Sequence, residues 1–168
     1  MSRRKVVSII GGADCSDHEY QVAEELGALL GESQVVVLCG GRGGVMEAVC
    51  RGAQKSGGLT IGILPTLDPN SGNRYLDIAI PTGLGHYRNA LVSQAGDAVI
   101  AIGGGYGTLS EIGLALKAGR KVIGINTWEV FDKFGKPIKI IQASSAQEAI
   151  RFVLDGMPEN YGKREGYD

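Results

Sequence analysis

One phrase recurs along this chain and constrains its fold more than any other feature. From Lys5 onward, a short apolar run rich in β-branched residues leads into a glycine-rich turn and then into a stretch with apolar residues at helical spacing. Repetition of strand, turn and helix requires a parallel sheet, because a parallel neighbour is reached only through a crossover. Strands are predicted over residues 6–10, 35–39, 60–64, 76–80, 98–102, 122–125 and 138–141. Most are apolar without alternation, the pattern of strands covered on both faces. Val22, Leu26, Leu29 and Leu30 make one helix stripe, Val45, Val49 and Ala53 a second, and further helices are predicted over 84–95, 109–118 and 146–154. Right-handed crossovers then give an α/β, Rossmann-like, doubly wound parallel sheet of about seven strands with helices on both faces.

The 168 residues suit a single core, expected as one nucleotide- or phosphate-binding domain over 1–156 followed by a polar tail over 157–168. Glycine supplies 27 of them, about twice its ordinary share. It is concentrated after the apolar runs, where a backbone turns tightly or approaches a ligand. A formal net charge of −1 offers no attraction for a polyanion, so nucleic acid is not an expected partner. The first apolar run is too short for a signal peptide or a membrane span, and the chain is expected to be cytoplasmic, with no membrane partner. Cys15, Cys39 and Cys50 are odd in number and lack CxxC spacing. They point to neither a disulfide framework nor a metal site, and are expected as small buried side chains.

In open α/β sheets, ligands bind beyond the carboxyl ends of the strands, near the switch in strand order. Four turns qualify: Gly11-Gly12-Ala13, Gly40-Gly41-Arg42-Gly43-Gly44, Pro81-Thr82-Gly83-Leu84-Gly85 and Gly103-Gly104-Gly105-Tyr106-Gly107-Thr108. The last joins a buried strand to a helix, so successive amides and a helix N-terminus converge as an anion site. Starting from Gly103, a dinucleotide fingerprint would need glycine where Thr108 stands, and no acidic residue ends the second strand. The lysine of a nucleotide-triphosphatase loop is absent too. Structural readings compete at single residues. Thr108-Leu109-Ser110-Glu111 spells a capping box, Arg88 reads as a solvated charge, Glu47 as a carboxylate favoured by a helix start, and His18 and His86 as surface or outer-layer residues.

The stretches Gly85-His86-Tyr87-Arg88-Asn89, Asp97-Ala98-Val99-Ile100-Ala101-Ile102 and Gly103-Gly104-Gly105-Tyr106-Gly107-Thr108-Leu109-Ser110-Glu111 resemble the signature of the Lonely Guy family. Its members, often labelled lysine decarboxylases, are phosphoribohydrolases that release a free base from a nucleoside 5′-monophosphate. The segment Gly40-Gly41-Arg42-Gly43-Gly44-Val45-Met46 is similar to that family's second glycine loop. Arg88 falls on the family's catalytic arginine and Glu111 on its catalytic glutamate. Gly103 stands where the family usually has proline, and Asn89 where it usually has lysine. Both departures resemble a related branch that includes molybdenum cofactor carrier proteins.

The resemblance implies catalytic roles for Arg88 and Glu111, and ligand contacts from Gly12, Gly41, Gly43, Gly44, Met46, Thr82, Gly104, Gly105, Tyr106, Gly107 and Thr108. The Gly104 to Thr108 backbone would hold a 5′-phosphate. Glu111 would stabilise an oxocarbenium-like transition state or orient water, and Arg88 would pair with it or assist the departing base. The expected partner is a small phosphorylated metabolite, and no cofactor or metal is required. Under the alternative, the same loops carry the molybdenum cofactor or another nucleotide-like ligand without turnover. Both families imply a homodimer or homotetramer.

Overall fold

Seven strands and five helices follow one another in the computed structural model, which describes residues 3–156. The strands are β1 (Val6–Gly11), β2 (Val36–Cys39), β3 (Thr60–Leu64), β4 (Ile78–Pro81), β5 (Ala98–Ile102), β6 (Lys121–Ile125) and β7 (Ile141–Gln142). The helices are α1 (Asp17–Glu32), α2 (Val45–Lys55), α3 (Asn89–Ala95), α4 (Tyr106–Lys117) and α5 (Ala146–Leu154). All strand pairs are parallel, in the order β4-β3-β2-β1-β5-β6-β7. The chain builds outward from β1 to one edge, returns, and builds outward from β5 to the other. The switch point therefore lies between β1 and β5, the doubly wound arrangement the sequence predicts.

Alternation along each strand divides the core in two. Val7, Ile9, Val37, Cys39, Ile100, Ile102 and Ile123 face α1, α2 and α5. Ile10, Leu38, Val99, Ala101 and Val122 face α3 and α4, where Val92 and Ile112 meet them. On this second face Ser8 is buried, and its Oγ donates to Val92 O at 2.6 Å and accepts from Gly96 N at 3.1 Å. That hydroxyl satisfies two backbone groups at the end of α3 and fixes the helix to β1. On the first face α1 and α2 approach through glycine. A Cβ at Gly27 would collide with Val49 O, and one at Gly52 with Glu24 O.

Four elements differ from expectation by two residues or more. β4 starts at Ile78, because Thr60 captures the preceding residues: its Oγ1 donates to Tyr75 O at 2.8 Å and its N to Asp77 Oδ2 at 2.8 Å. The helix expected over 84–95 opens as a 3₁₀ turn, Gly85–Arg88, before α3. α4 starts at Tyr106 instead of residue 109. The apolar residues of 138–141 are mostly not strand: Ile138 N donates to Val130 O at 2.8 Å and Phe131 bridges Pro137 antiparallel. This excursion after β6 has its own pairing, and only Ile141–Gln142 joins the sheet. No helix among the described residues is long and apolar enough to cross a membrane. The tail expected over 157–168 lies outside the described residues.

Candidate functional site

Beyond β5 the chain reverses through Gly103 and Gly104, at φ +51° and +96°. Both angles lie in the left-handed region that favours glycine. Proline is impossible at Gly103, since its ring fixes φ near −65°, and a Cβ there would run into the Glu19 carboxylate. At Gly104 a Cβ would press to 2.5 Å of Thr108 Cβ. Loop carbonyls are held toward the excursion: Gly103 O accepts from Thr127 Oγ1 at 2.7 Å and Gly105 O from Trp128 Nε1 at 3.1 Å. Gly105 is the N-cap of α4, with no side-chain cap bond. The capping-box reading is thereby overturned. Thr108 is the third helical residue, 3% exposed, and Glu111 is turned inward. The amides of Tyr106, Gly107 and Thr108 open the helix and have no acceptor within it, so they and the helix dipole face the space beyond β5.

Arg88 ends the 3₁₀ turn and Glu111 lies in the second turn of α4, yet the fold brings Arg88 Nη1 to 3.6 Å from Glu111 Oε1. The reading of Arg88 as a solvated charge is also overturned, since Arg88 is 8% and Glu111 6% exposed. Arg88 Nη2 donates to Gly40 O at 3.2 Å and Nη1 to Asn89 Oδ1 at 2.6 Å, while Nε is buried with no partner. Burial pushes the Glu111 carboxyl up to about 7, against the opposing pull of Arg88. Burial also lowers the Arg88 guanidinium below its ordinary value, with Glu111 resisting. A carboxyl that titrates near neutrality beside a fixed cation suits proton exchange at physiological pH.

Beneath the pair lies Cys39, whose Sγ accepts from Gly41 N at 3.3 Å and sits 3.6 Å from Cys50 Sγ. The Cys50 contact, with the Gly41 amide and Arg88 adding, holds the Cys39 thiol below its ordinary value, whereas Cys50 is driven up. Glycine at position 40 lets the guanidinium lie against the backbone, because a Cβ there would be 2.7 Å from Arg88 Cζ unless the arginine moved. Gly41, at φ +72°, packs on Leu64 and Leu76. Gly44, at φ +62°, sits against the Gly12 and Ala13 carbonyls, and Val45 N donates to Gly12 O at 3.0 Å. The structure thus gathers Gly12, Gly41, Gly43 and Gly44 at the carboxyl ends of β1 and β2.

Two expected contact residues sit in the scaffold. Met46 is buried with the core of α1 and α2. Thr82 donates its hydroxyl to Leu64 O at 2.6 Å and accepts from Leu84 N at 3.2 Å, fixing the turn that precedes Arg88. Tyr106 is 84% exposed, its ring 5.9 Å from that of Trp128. Cys15 is half-buried, and His18 and His86 are exposed. Gly40, Cys39, Asn89 and Trp128 are contributors that sequence reasoning did not assign to the site. A concavity of about 370 Å³ lined by Lys5, Asp97, Lys121 and Phe152 opens at the opposite end of the sheet. There Lys5 is bound to Val153 O and Asp97 to Arg3, whereas the glycine loops and the Arg88–Glu111 pair lie at the carboxyl ends of the strands.

A model of the SLOG cluster4 family matches residues 4–150. The molybdenum cofactor binding protein of Rippkaea orientalis superposes with a TM-score of 0.81 at 35% identity, over 91% of this chain and 97% of that one. A molybdenum cofactor carrier protein from Chlamydomonas reinhardtii gives 0.78 at 33% identity, over 90% and 96%. A probable cytokinin riboside 5′-monophosphate phosphoribohydrolase of Oryza sativa subsp. japonica is 28% identical over 156 residues, which are 90% of this chain but 59% of the rice protein's length. Family model, curated relatives and solved structures agree: the chain belongs to the SLOG cluster4 family, within the Lonely Guy-like superfamily and toward its molybdenum cofactor carrier branch.

Proposed function

We propose that this protein binds a small phosphorylated, nucleotide-like metabolite and hydrolyses the N-glycosidic bond of a nucleoside 5′-monophosphate to free base and ribose 5-phosphate. The observation that carries this reading is the buried Arg88–Glu111 pair, 3.6 Å apart beside the glycine loops. The amides of Gly104 to Thr108 hold the phosphate, which fixes the ribose. Ionised Glu111 stabilises positive charge as the bond to the base stretches, or accepts a proton from the water that attacks the anomeric carbon. Arg88, with its unpartnered Nε, supplies a donor to the leaving base or to a ligand oxygen. The chemistry uses no metal.

A second reading rests on the near-complete overlap with the Rippkaea and Chlamydomonas proteins, 97% and 96% of their lengths. In it the molybdenum cofactor is cargo. The same helix-start amides and the orphaned Arg88 Nε suit its phosphate oxygens, and no bond is broken. Exposed Ile78, Ile80, Leu84, Tyr87 and Leu91, on β4, the 3₁₀ turn and α3, support self-association as a homodimer or homotetramer. The free thiols Cys15, Cys39 and Cys50 suit the reducing cytoplasm.

The test is incubation with AMP and other nucleoside monophosphates, followed by chromatography for free base and ribose 5-phosphate. Release that falls by about 100-fold or more in Arg88→Ala and Glu111→Gln is the expected result. Absence of release from every monophosphate, with binding retained, replaces hydrolysis by the carrier reading.

A further inference from the structure

Arg88 has more donors than its catalytic partner takes up, and the distribution of its bonds is uneven. Nη1 lies 2.6 Å from Asn89 Oδ1 but 3.6 Å from Glu111 Oε1. The first is a hydrogen bond and the second is not. A guanidinium can only donate, so the Asn89 atom that faces it must be the amide oxygen. Nη2 is held by Gly40 O at 3.2 Å. The arginine is therefore anchored on two neutral oxygens and stands back from the carboxylate it faces.

We propose that Asn89 is a positioning residue of this site: its carboxamide oxygen takes the Arg88 Nη1 donor that would otherwise bond Glu111, and so leaves the Glu111 oxygens free for substrate and water. The inference rests on the hydrolytic reading for its catalytic consequence, but not for its physical content. A glutamate fully paired with arginine would be a poor base, because the ion pair stabilises its charged form. Held off by about 0.8 Å relative to a charge-assisted hydrogen bond, Arg88 attracts the carboxylate without capping it. A lysine at position 89, usual in the resembled family, would have no acceptor with which to do this.

Few other charges reach Glu111. Cys39 approaches from β2, and Arg42 acts on Arg88 from the loop after it. From α3, β1 and β5 no titratable side chain faces α4, since Asn89–Ala95, Val6–Gly11 and Ala98–Ile102 contain none. β6 has Lys121 at its opposite, amino end. On α4 itself the other titratable residues are Tyr106 at the exposed start and Lys117 in the last turn. Asn89 itself is half-buried and supplies no core side chain.

The experiment is a pH titration of the Glu111 carboxyl by carbon NMR, its resonance identified by loss in Glu111→Gln. In Asn89→Ala, Arg88 is released, and closure from 3.6 Å to about 2.8 Å lowers the midpoint by about one pH unit. Asn89→Ser, too short to reach Arg88, gives the same shift and serves if the alanine variant does not fold. Asn89→Asp keeps an acceptor on Arg88 and adds a repelling charge, so its midpoint stays at or above that of the wild type. An Ala and Ser midpoint that is unchanged or higher overturns the proposal, as does an Asp midpoint that falls. The pH profile of base release should move with the titration. If no base is released by any variant, the hydrolytic reading fails while the titration still decides the role of Asn89; if release persists and the midpoint does not move, only the role of Asn89 falls.

Discussion

Replacing Glu111 by glutamine should remove a pH dependence from the stability of the fold. Burial raises this carboxyl from 4.5 to about 7, so the folded protein binds the proton more tightly than the unfolded chain does. The stabilisation from that proton is fully present below 4.5 and is lost as pH rises through about 7. At roughly 1.4 kcal/mol per pH unit, the gap amounts to about 3 kcal/mol. Glutamine is nearly isosteric and stays neutral, and its oxygen can still face Arg88. The assay is urea unfolding of wild type and Glu111→Gln at steps from about pH 4 to about pH 9, read as the difference between them. Taking the difference cancels every other titrating group that the substitution leaves alone. It should turn against the wild type by about 3 kcal/mol across the range, with most of the change between about pH 5 and 7. Parallel curves, separated by a constant amount, would refute the reasoning and mean that water reaches the carboxylate freely.

Gly40→Ala should disable the site while sparing the fold. The backbone there is outside the left-handed region, but the new methyl, 2.7 Å from Arg88 Cζ, forces the guanidinium back by about 1 Å. Base release or ligand affinity should drop by about 100-fold, with the thermal midpoint little changed; full activity would show that the guanidinium position is unimportant. Ser8→Ala should strand Val92 O and Gly96 N and destabilise by about 1–3 kcal/mol in urea unfolding. A loss under about 0.5 kcal/mol would mean that water replaces the hydroxyl.

The parts of this molecule that could be read from sequence are those whose cause is local. β3, β5 and α5 begin and end where predicted, because an apolar run or helical stripe there is bounded by residues that stop it. The strand expected over 138–141 is misplaced because Ile138 and Ile140, which pack against the α3 and α4 side of the core, look the same in sequence as residues of a ladder. Thr108 to Glu111 matched a capping box by spacing, but Gly103 and Gly104 at positive φ let the helix begin three residues earlier, which turns both side chains inward. Arg88 and Glu111 were named through motif resemblance, whereas their proximity, burial and altered protonation depend on how α3 and α4 pack. Gly40 and Asn89 are the same case: nothing local says which glycine lies flat against the guanidinium, or which oxygen accepts its hydrogen bond.

The switch in strand order also bears on how the Arg88–Glu111 pair is assembled. Arg88 is delivered by the segment that closes the β1–β4 half, and Glu111 by the first helix of the half that begins with β5. The halves are joined by pairing of Val7 with Ala98 and its neighbours, a contact that requires closure of a long loop and is costly in chain entropy. Neither half can hold the charged pair alone. The pair is consequently completed only when the central seam of the sheet zips, so under the proposed function a partly folded chain would not bind the metabolite, and the metabolite would favour the fully assembled state by mass action.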